Sequence, residues 1–382
     1  MLDRRSWLTA FALVLCVGGC QCRNFDRKEL EKTSPAQVNT VQLLRFSADG
    51  ERLVAQTVSE LRVWDVVSRT VQRKFDVGMR KQGVAGGQLV LSQNLELVYV
   101  YDGKQASVVH ADGSGELWTY PFTKRTKVAG LSNDGSVLTV TAPEPNEKKG
   151  PTLQLWTKGG AAPVWEHILA HPSPFFAVDP VGWQLAFSDE KKLTMIDLSS
   201  AREAWTISLP ATSNLYFSAD GASLAHANTI YDAANGRERG SFTSSGRILA
   251  FPDDLFLSDS SGWFHRVSPS GEKRWTLQVR DARGANRPLL NGAVSPDGTR
   301  LVLYVEAVMT LDSYDSTTAT RGPMLARAGD YAQGALIEAM AISPKNELLA
   351  VAQGNTLVLW SFDGKKKPMP LVDPALKTAL GR

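Results

Sequence analysis

Phe46–Asp65 reads FSADGERLVAQTVSELRVWD: an apolar lead-in, a four-residue turn, an apolar strand, a short gap, and a second apolar strand ending in Trp64-Asp65. One copy of such a segment is a hairpin. Copies at a fixed spacing are an array whose neighbours bury one another's apolar faces. The turn and the strand after it recur as LSQNLELVYVY from Leu91, LSNDGSVLTVT from Leu131, VDPVGWQLAFS from Val178 and FSADGASLAHA from Phe217. They return again as FPDDLFLSDS from Phe251, VSPDGTRLVLY from Val294 and ISPKNELLAVA from Ile342. Ser47 and Ser343 hold the same turn position in the first and last copies, seven steps apart. That is about 42 residues per step, the period of a four-stranded blade.

Each unit divides into four strands, for example Thr40–Ser47, Arg52–Val58, Glu60–Val66 and Thr70–Val77, with Asp-Gly turns and β-branched alternation between them. A lone sheet of this kind leaves one face bare, so the copies must pack radially. The expected fold is all-β: an eight-bladed β-propeller of four-stranded antiparallel sheets, or a seven-bladed one if a degenerate copy merges with its neighbour. The shortest step, from Ser218 to Pro252, still holds strands at Ser223–Asn228, Thr229–Ala234 and Arg237–Phe242, which favours eight.

The first residues, MLDRRSWLTAFALVLCVGGC, read as an export signal: basic Arg4 and Arg5, an apolar run from Trp7 to Val17, then small residues before Cys20. The run is about ten residues, too short for a spanning helix of about twenty. Val17-Gly18-Gly19-Cys20 resembles the lipobox of bacterial lipoproteins. That resemblance implies cleavage before Cys20, a diacylglycerol on its thiol and palmitate-type acylation. Gln21 stands where an aspartate retains many such proteins at the inner membrane, so the resemblance implies the outer membrane, with the domain periplasmic or surface-exposed. The expected organisation is a signal peptide at 1–19, a lipidated polar tether at 20–36, a propeller domain at 37–372 and a tail at 373–382.

The chain has three cysteines: Cys16 is lost with the signal, and Cys22 has no partner once Cys20 is acylated. The mature domain is therefore held by its core rather than by disulfides. A formal charge of +3 points neither to nucleic acid nor to a polybasic membrane patch, so contact with the membrane runs through the lipid alone.

FSADGERLVAQTVSELRVWD and ISPKNELLAVAQGNTLVLWS resemble WD40 repeats, whereas DGSGELWTYPF, LSSAREAWTISL and SPSGEKRWTLQV resemble quinoprotein-type blades, in which a glycine turn precedes an outer-strand tryptophan. The departures are specific. Trp156 is followed by Thr157, Trp360 by Ser361, and five scattered histidines cannot supply the WD40 hydrogen-bond tetrad. A quinoprotein cofactor site would need a vicinal cysteine pair, which the mature chain lacks, so no cofactor is expected.

Other chemistry finds little support. Glu166, His167 and His171 have helical zinc spacing but fall on an outer-strand pattern, where residues four apart are about 13 Å apart. Gly221-Ala222-Ser223-Leu224-Ala225 approaches a nucleophile elbow but lacks its last glycine and repeats the ordinary turn-to-strand unit. His110, His226 and His265 read as half-buried strand residues. Seven tryptophans (Trp64, Trp118, Trp156, Trp165, Trp205, Trp275 and Trp360) read as packing at equivalent strand ends. No metal and no enzymatic activity are expected.

The connections are asymmetric. Turns joining strands one to two and three to four of a blade share one end, and those here are short: SADG, SNDG, SPDG, SPSG, AANG. The connections from strand two to three and from blade to blade share the other end and carry GMRKQGVAG (78–86), PEPNEKKGP (143–151), RDARGANRP (280–288) and RGPMLARAGDYAQG (321–334). Variation confined to one end of a repeat array marks a binding surface. The candidate partner-binding residues are Arg80, Lys81, Lys148, Lys149, Arg280, Arg283, Arg287, Arg321 and Arg327, on an end that is basic by about +5 and suits an acidic partner. The expected function is that of a lipid-anchored, monomeric, non-enzymatic scaffold that recruits another envelope protein. In fold and anchor it resembles the propeller lipoprotein of the outer-membrane β-barrel assembly machinery. The alternative is a lactonase-like or other hydrolase with its site in a central channel.

Overall fold

The computed structural model describes residues 41–371 except 79–86, 123–124, 144–149, 171–174, 182, 190, 210–212, 244–246, 260–261, 279–290, 306–309, 327–336, 354–355 and 364–367. The described residues form 32 strands in eight sheets, with no helix among them. Blade 1 is β1 to β4: Leu43–Phe46, Arg52–Gln56, Glu60–Asp65 and Val71–Asp76. Blade 2 is β5 to β8: Gln88–Leu91, Leu97–Tyr101, Ala106–His110 and Glu116–Tyr120. Blade 3 is β9 to β12: Thr126–Leu131, Val137–Thr141, Thr152–Trp156 and Trp165–Ile168. Blade 4 is β13 to β16: Phe175–Val178, Gln184–Asp189, Lys192–Asp197 and Arg202–Ser208. Blade 5 is β17 to β20: Leu215–Phe217, Ser223–His226, Thr229–Asp232 and Glu238–Ser241. Blade 6 is β21 to β24: Arg247–Ala250, Leu255–Ser258, Trp263–Val267 and Lys273–Gln278. Blade 7 is β25 to β28: Asn291–Val294, Arg300–Val305, Thr310–Asp315 and Thr320–Ala326. Blade 8 is β29 to β32: Ile337–Ile342, Leu348–Gln353, Thr356–Ser361 and Met369–Leu371.

In every blade the four strands pair in chain order, and the fold is an eight-bladed β-propeller. The eight turn-and-strand copies are the eight blades, and the seven-bladed alternative is excluded. The blades group into two compact units. One spans Asp76–Ser241 and holds blades 2 to 5; the other joins the described residues up to Phe75 to those from Phe242 and holds blades 1, 6, 7 and 8.

The turn that marks each copy is closed by its own side chains. Ser47 Oγ donates to Asp49 Oδ1 and accepts the Arg52 N–H, while Asp49 Oδ1 also accepts the Glu51 N–H. The same set recurs at Ser92/Asn94, Ser218/Asp220 and Ser295/Asp297. Serine and aspartate two apart therefore recur because each supplies an oxygen to backbone N–H groups that the hairpin leaves unpaired. The fourth turn residue is left-handed, with φ of 78° at Gly50, which explains the glycine there. Leu95 takes the same conformation at 62° in blade 2 and buries its side chain almost completely.

The second strands are buried on both faces, as β10 (VLTVT) and β22 (LFLS) show, so they read as continuous apolar runs. The outer strands alternate. In β16, Trp205 and Ile207 point inward between exposed neighbours. Each apolar cluster spans two adjacent blades: Tyr99, Val108 and Tyr120 of blade 2 pack with Val128, Leu131 and Trp156 of blade 3. In the second unit, Leu44, Phe46 and Trp64 of blade 1 pack with Ala350, Leu357 and Leu359 of blade 8. The inner strands of blades 2 and 3 are stitched by one buried amide: Gln88 Nε2 donates to Val128 O at 2.8 Å, and its Oε1 accepts the Val128 N–H at 2.9 Å.

The exposed outer edges are blunted. Pairing of the third and fourth strands slips at Val108/Val109, Met195/Ile196, Ile230/Tyr231 and Arg266/Val267, and twice between β27 and β28. Bulges of this kind twist an edge away from further pairing.

Candidate functional site

The two ends of the blades differ in the length of their connections, while the short turns at both ends are closed by their own side chains, as Asp102 Oδ1 closes the β6–β7 turn by accepting the Lys104 and Gln105 N–H groups. At the end bearing the one-to-two turns, side chains are used up locally or on the next blade. Asn94 N–H donates to Asn133 Oδ1 at 3.0 Å, joining the turns of blades 2 and 3. Asn346 Nδ2 donates to Asp297 Oδ2 at 2.7 Å and to Thr299 Oγ1 at 3.0 Å, joining blades 8 and 7. The carboxyls follow. Hydrogen bonds from Ser47 and from the Glu51 N–H hold Asp49 below the ordinary carboxylate range. Burial raises Asp134, but hydrogen bonds from Ser132 and Ser136 outweigh it and hold it low too.

The other end carries the long connections between β4 and β5, β10 and β11, β24 and β25, and β28 and β29, as the sequence predicts. Arg80, Lys81, Lys148, Lys149, Arg280, Arg283, Arg287 and Arg327 lie outside the described residues, as does Cys20.

Arg321 requires a correction. It belongs not to the connection but to β28, directly after the turn from β27, and so stands at the short-turn end. There its Nη2 binds Asp312 Oδ1 at 2.8 Å. The segment RGPMLA continues as strand despite Pro323 because β28 is an edge strand, where a missing N–H costs no ladder bond. The Asp312 carboxylate is buried and fixes Arg321, so its charge is already partnered.

The tryptophans resolve into two positions rather than one. Trp64, Trp156 and Trp360 close the third strand, opposite Leu53, Val137 and Leu349. Trp118, Trp165, Trp205 and Trp275 share one register in the outer strand and reach across to the following blade. Trp205 Nε1 donates to Ala233 O at 2.8 Å and Trp275 Nε1 to Ser316 O at 2.7 Å. The Trp205 ring covers Gly236, and the Trp118 ring covers Gly135. A glycine on one blade and a tryptophan on its neighbour are thus one packing unit. Their separation in sequence hides it.

Among the described residues no group of three or more histidines, cysteines and carboxylates could hold a metal ion. His167 lies on outer strand β12, stacked between Trp165 (6.1 Å) and Phe187 (4.9 Å), and His171 is outside the described residues. His265 shares a hydrogen bond with Thr276 Oγ1 through Nδ1, and its Nε2 is 3.9 Å from Asp259 Oδ2. Burial lowers its pKa, Lys273 adds to that, and Asp259 opposes it.

His226 is not half-buried but fully buried: it ends β18 with 3% of its surface exposed, and its Nε2 has no hydrogen-bond partner among the described residues. Burial alone lowers its pKa. In the unfolded chain it takes up a proton near its ordinary 6.5; in the folded protein it does so only at lower pH. Its contribution to stability is therefore complete above about 6.5 and lost progressively as pH falls from there through the lower folded value. Phe187 holds the matching place in blade 4, two residues beyond Leu185 as His226 is beyond Leu224. In denaturant titrations at about pH 7.5 and about pH 5.5, His226→Phe is expected to lose less stability on acidification than the unmodified chain. Equal losses would show that His226 is hydrated in the folded state. The carboxyls held low act only below their ordinary 3.8, so their effect is separate.

No family model matches this sequence, and no curated protein matches it in sequence. Among solved structures it is similar to the carboxy-terminal WD40 domain of Sif2, with a TM-score of 0.57, 13% identity, and coverage of 85% of this chain and 96% of that one. It is also similar to a eukaryotic initiation factor, with a TM-score of 0.53, 10% identity, and coverage of 86% and 87%. A third likeness, to the propeller domain of Cps50 (Swd1) from Myceliophteria thermophila, has a TM-score of 0.47 at 14% identity, covering 85% and 96%. At these identities the likeness shows the fold alone, a WD40-like β-propeller.

Proposed function

We propose that the chain is a non-enzymatic protein-binding scaffold of the bacterial cell envelope. It is anchored to the outer membrane through lipid on Cys20 and acts as a monomeric propeller that recruits another envelope protein. The observation that carries this reading is the difference between the two blade ends. At one end the turns are short and their polar groups are bonded within a blade or to the next. At the other lie all four long connections, two of them with a basic excess. Uniform short turns offer each partner the same small surface, whereas connections that vary from blade to blade can be shaped to one. The basic residues put forward for contact are Arg80, Lys81, Lys148, Lys149, Arg280, Arg283, Arg287 and Arg327. Arg321, tied to Asp312, is left out.

Crosslinking in native envelopes tests the reading, with three forms of the chain compared. The unmodified chain is expected in the membrane fraction with a specific protein attached. Cys20→Ala leaves the membrane fraction, since each buried CH₂ of an acyl chain contributes about 0.8 kcal/mol to anchoring. Arg280→Ser, Arg283→Ser and Arg287→Ser together are expected to keep the fold, because charge substitutions between strands usually change stability by less than about 0.5 kcal/mol. Capture by this triple variant falls, most of all at low salt, where the arginine charges are least screened. Undiminished capture by the triple variant, or Cys20→Ala remaining with the membrane, overturns the corresponding half of the proposal.

A further inference from the structure

The start of β1 fixes where the amino-terminal segment leaves the second unit. Gln42 N–H donates to Gln56 O at 2.7 Å, immediately before the turn from β2 to β3. Val41 N–H donates to Glu338 Oε2 at 2.7 Å, and Glu338 is the second residue of β29, directly after the long connection from β28. Both bonds lie at the end that carries the long connections. The root of the amino-terminal segment and the root of that connection are therefore side by side.

Between Cys20 and Val41 the chain reaches at most about 70 Å when extended. Its sequence is polar and charged, and a random-coil chain of that many residues would span about 25 Å on average. The six residues of β30 give blade 8 a height of about 20 Å. The two lengths are similar. To present the short-turn end to the bilayer, the segment would have to run the height of the blade from its root, which uses most of its mean span. To present the end where it is rooted costs nothing.

We infer that in the anchored chain the insert-bearing end of the second unit faces the bilayer that holds the acylated cysteine. This rests on the lipid anchoring proposed above. A partner taken by that end has to reach into the gap between domain and membrane, which favours one rooted in the same membrane.

The test uses the full lipidated chain on vesicles with acceptor dye in the headgroups. Cys22→Ser removes the remaining thiol of the mature chain, and a donor dye is attached at Thr356→Cys or at Lys345→Cys. Both positions are exposed and stand at opposite ends of blade 8, Thr356 opening β31 and Lys345 in the turn between β29 and β30. Energy transfer from position 356 is expected to exceed that from position 345 by at least about twofold, given the blade height. A chain that floats with the vesicles but transfers equally from both sites, or more from 345, overturns the orientation and leaves the anchoring intact. A chain that does not float overturns the anchoring and the orientation with it.

Discussion

Replacing Gly135 by alanine is expected to destabilise the protein by about 3–5 kcal/mol, the sum of an overpacked contact and a side chain forced into a left-handed backbone. A Cβ at this position would lie 1.9 Å from Trp118 Cζ2 and 2.6 Å from its Cη2, and φ is 90°. The ring has little freedom to retreat. Its Nε1 donates to Tyr120 Oη at 2.9 Å, Tyr120 Oη donates to Gly135 O at 2.8 Å, and Lys158 Nζ stands 4.9 Å from the ring centroid. Gly236 offers a graded comparison, since a Cβ there would lie 2.8 Å from two atoms of Trp205, so Gly236→Ala should cost less. Thermal melts of Gly135→Ala alone and with Trp118→Ala separate the causes. With the indole gone only the backbone cost remains, about 1–2 kcal/mol. An equal cost in both backgrounds would mean that the ring does not lock blade 2 to blade 3.

That packing was not legible in the sequence, although both partners were. Gly135 stands out as a turn glycine and Trp118 as an outer-strand tryptophan, because each sits at a fixed place in its own repeat. Their contact crosses from one repeat to the next, and nothing in a single copy says which side chain of a neighbour lies opposite. The same holds for Asn94 with Asn133 and for Gln88 with Val128, where repeat position predicts a strand or a turn but not a bond. Within a repeat the sequence was more informative. Serine and aspartate two apart followed by glycine specify the turn chemically, and continuous apolar runs specify strands covered on both faces.

The candidate surface shows the same division. Which strands the long connections join follows from counting repeats, and the structure agrees. Where a strand stops is a different matter. RGPMLA looked like loop because of its glycine and proline, yet as an edge strand it tolerates both, and this moved Arg321 to the opposite end beside Asp312. The burial of His226 is hidden for a related reason: nothing in SLAH says that packing between blades closes over the last residue of β18.

Replacing Asp254 by alanine is expected to cost up to about 3–5 kcal/mol, because it strands a guanidinium only 16% exposed. Arg266 Nε lies 2.6 Å from Asp254 Oδ2, with side-chain exposures of 16% and 10%, and Arg274 Nε is 3.8 Å from the same oxygen. Arg266 also donates through Nη1 to Ser316 O at 2.8 Å and lies 5.4 Å over the Phe256 ring, so it cannot swing out without unlatching blade 6 from blade 7. The Arg274–Glu272 pair is the control: at 2.7 Å it is as short, but both side chains are largely exposed, and Glu272→Ala should cost less than about 1 kcal/mol. The two losses should also differ in salt, with the exposed pair screened and the buried one nearly indifferent. Pairing Asp254→Leu with Arg266→Met removes both charges together and should recover much of the stability, since the desolvation of each charge opposes their attraction. Urea titrations of these variants decide the matter. If Asp254→Ala stays within about 0.5 kcal/mol of the unmodified chain, water reaches Arg266 and the latch between these blades rests on Trp275 and Ser316 instead.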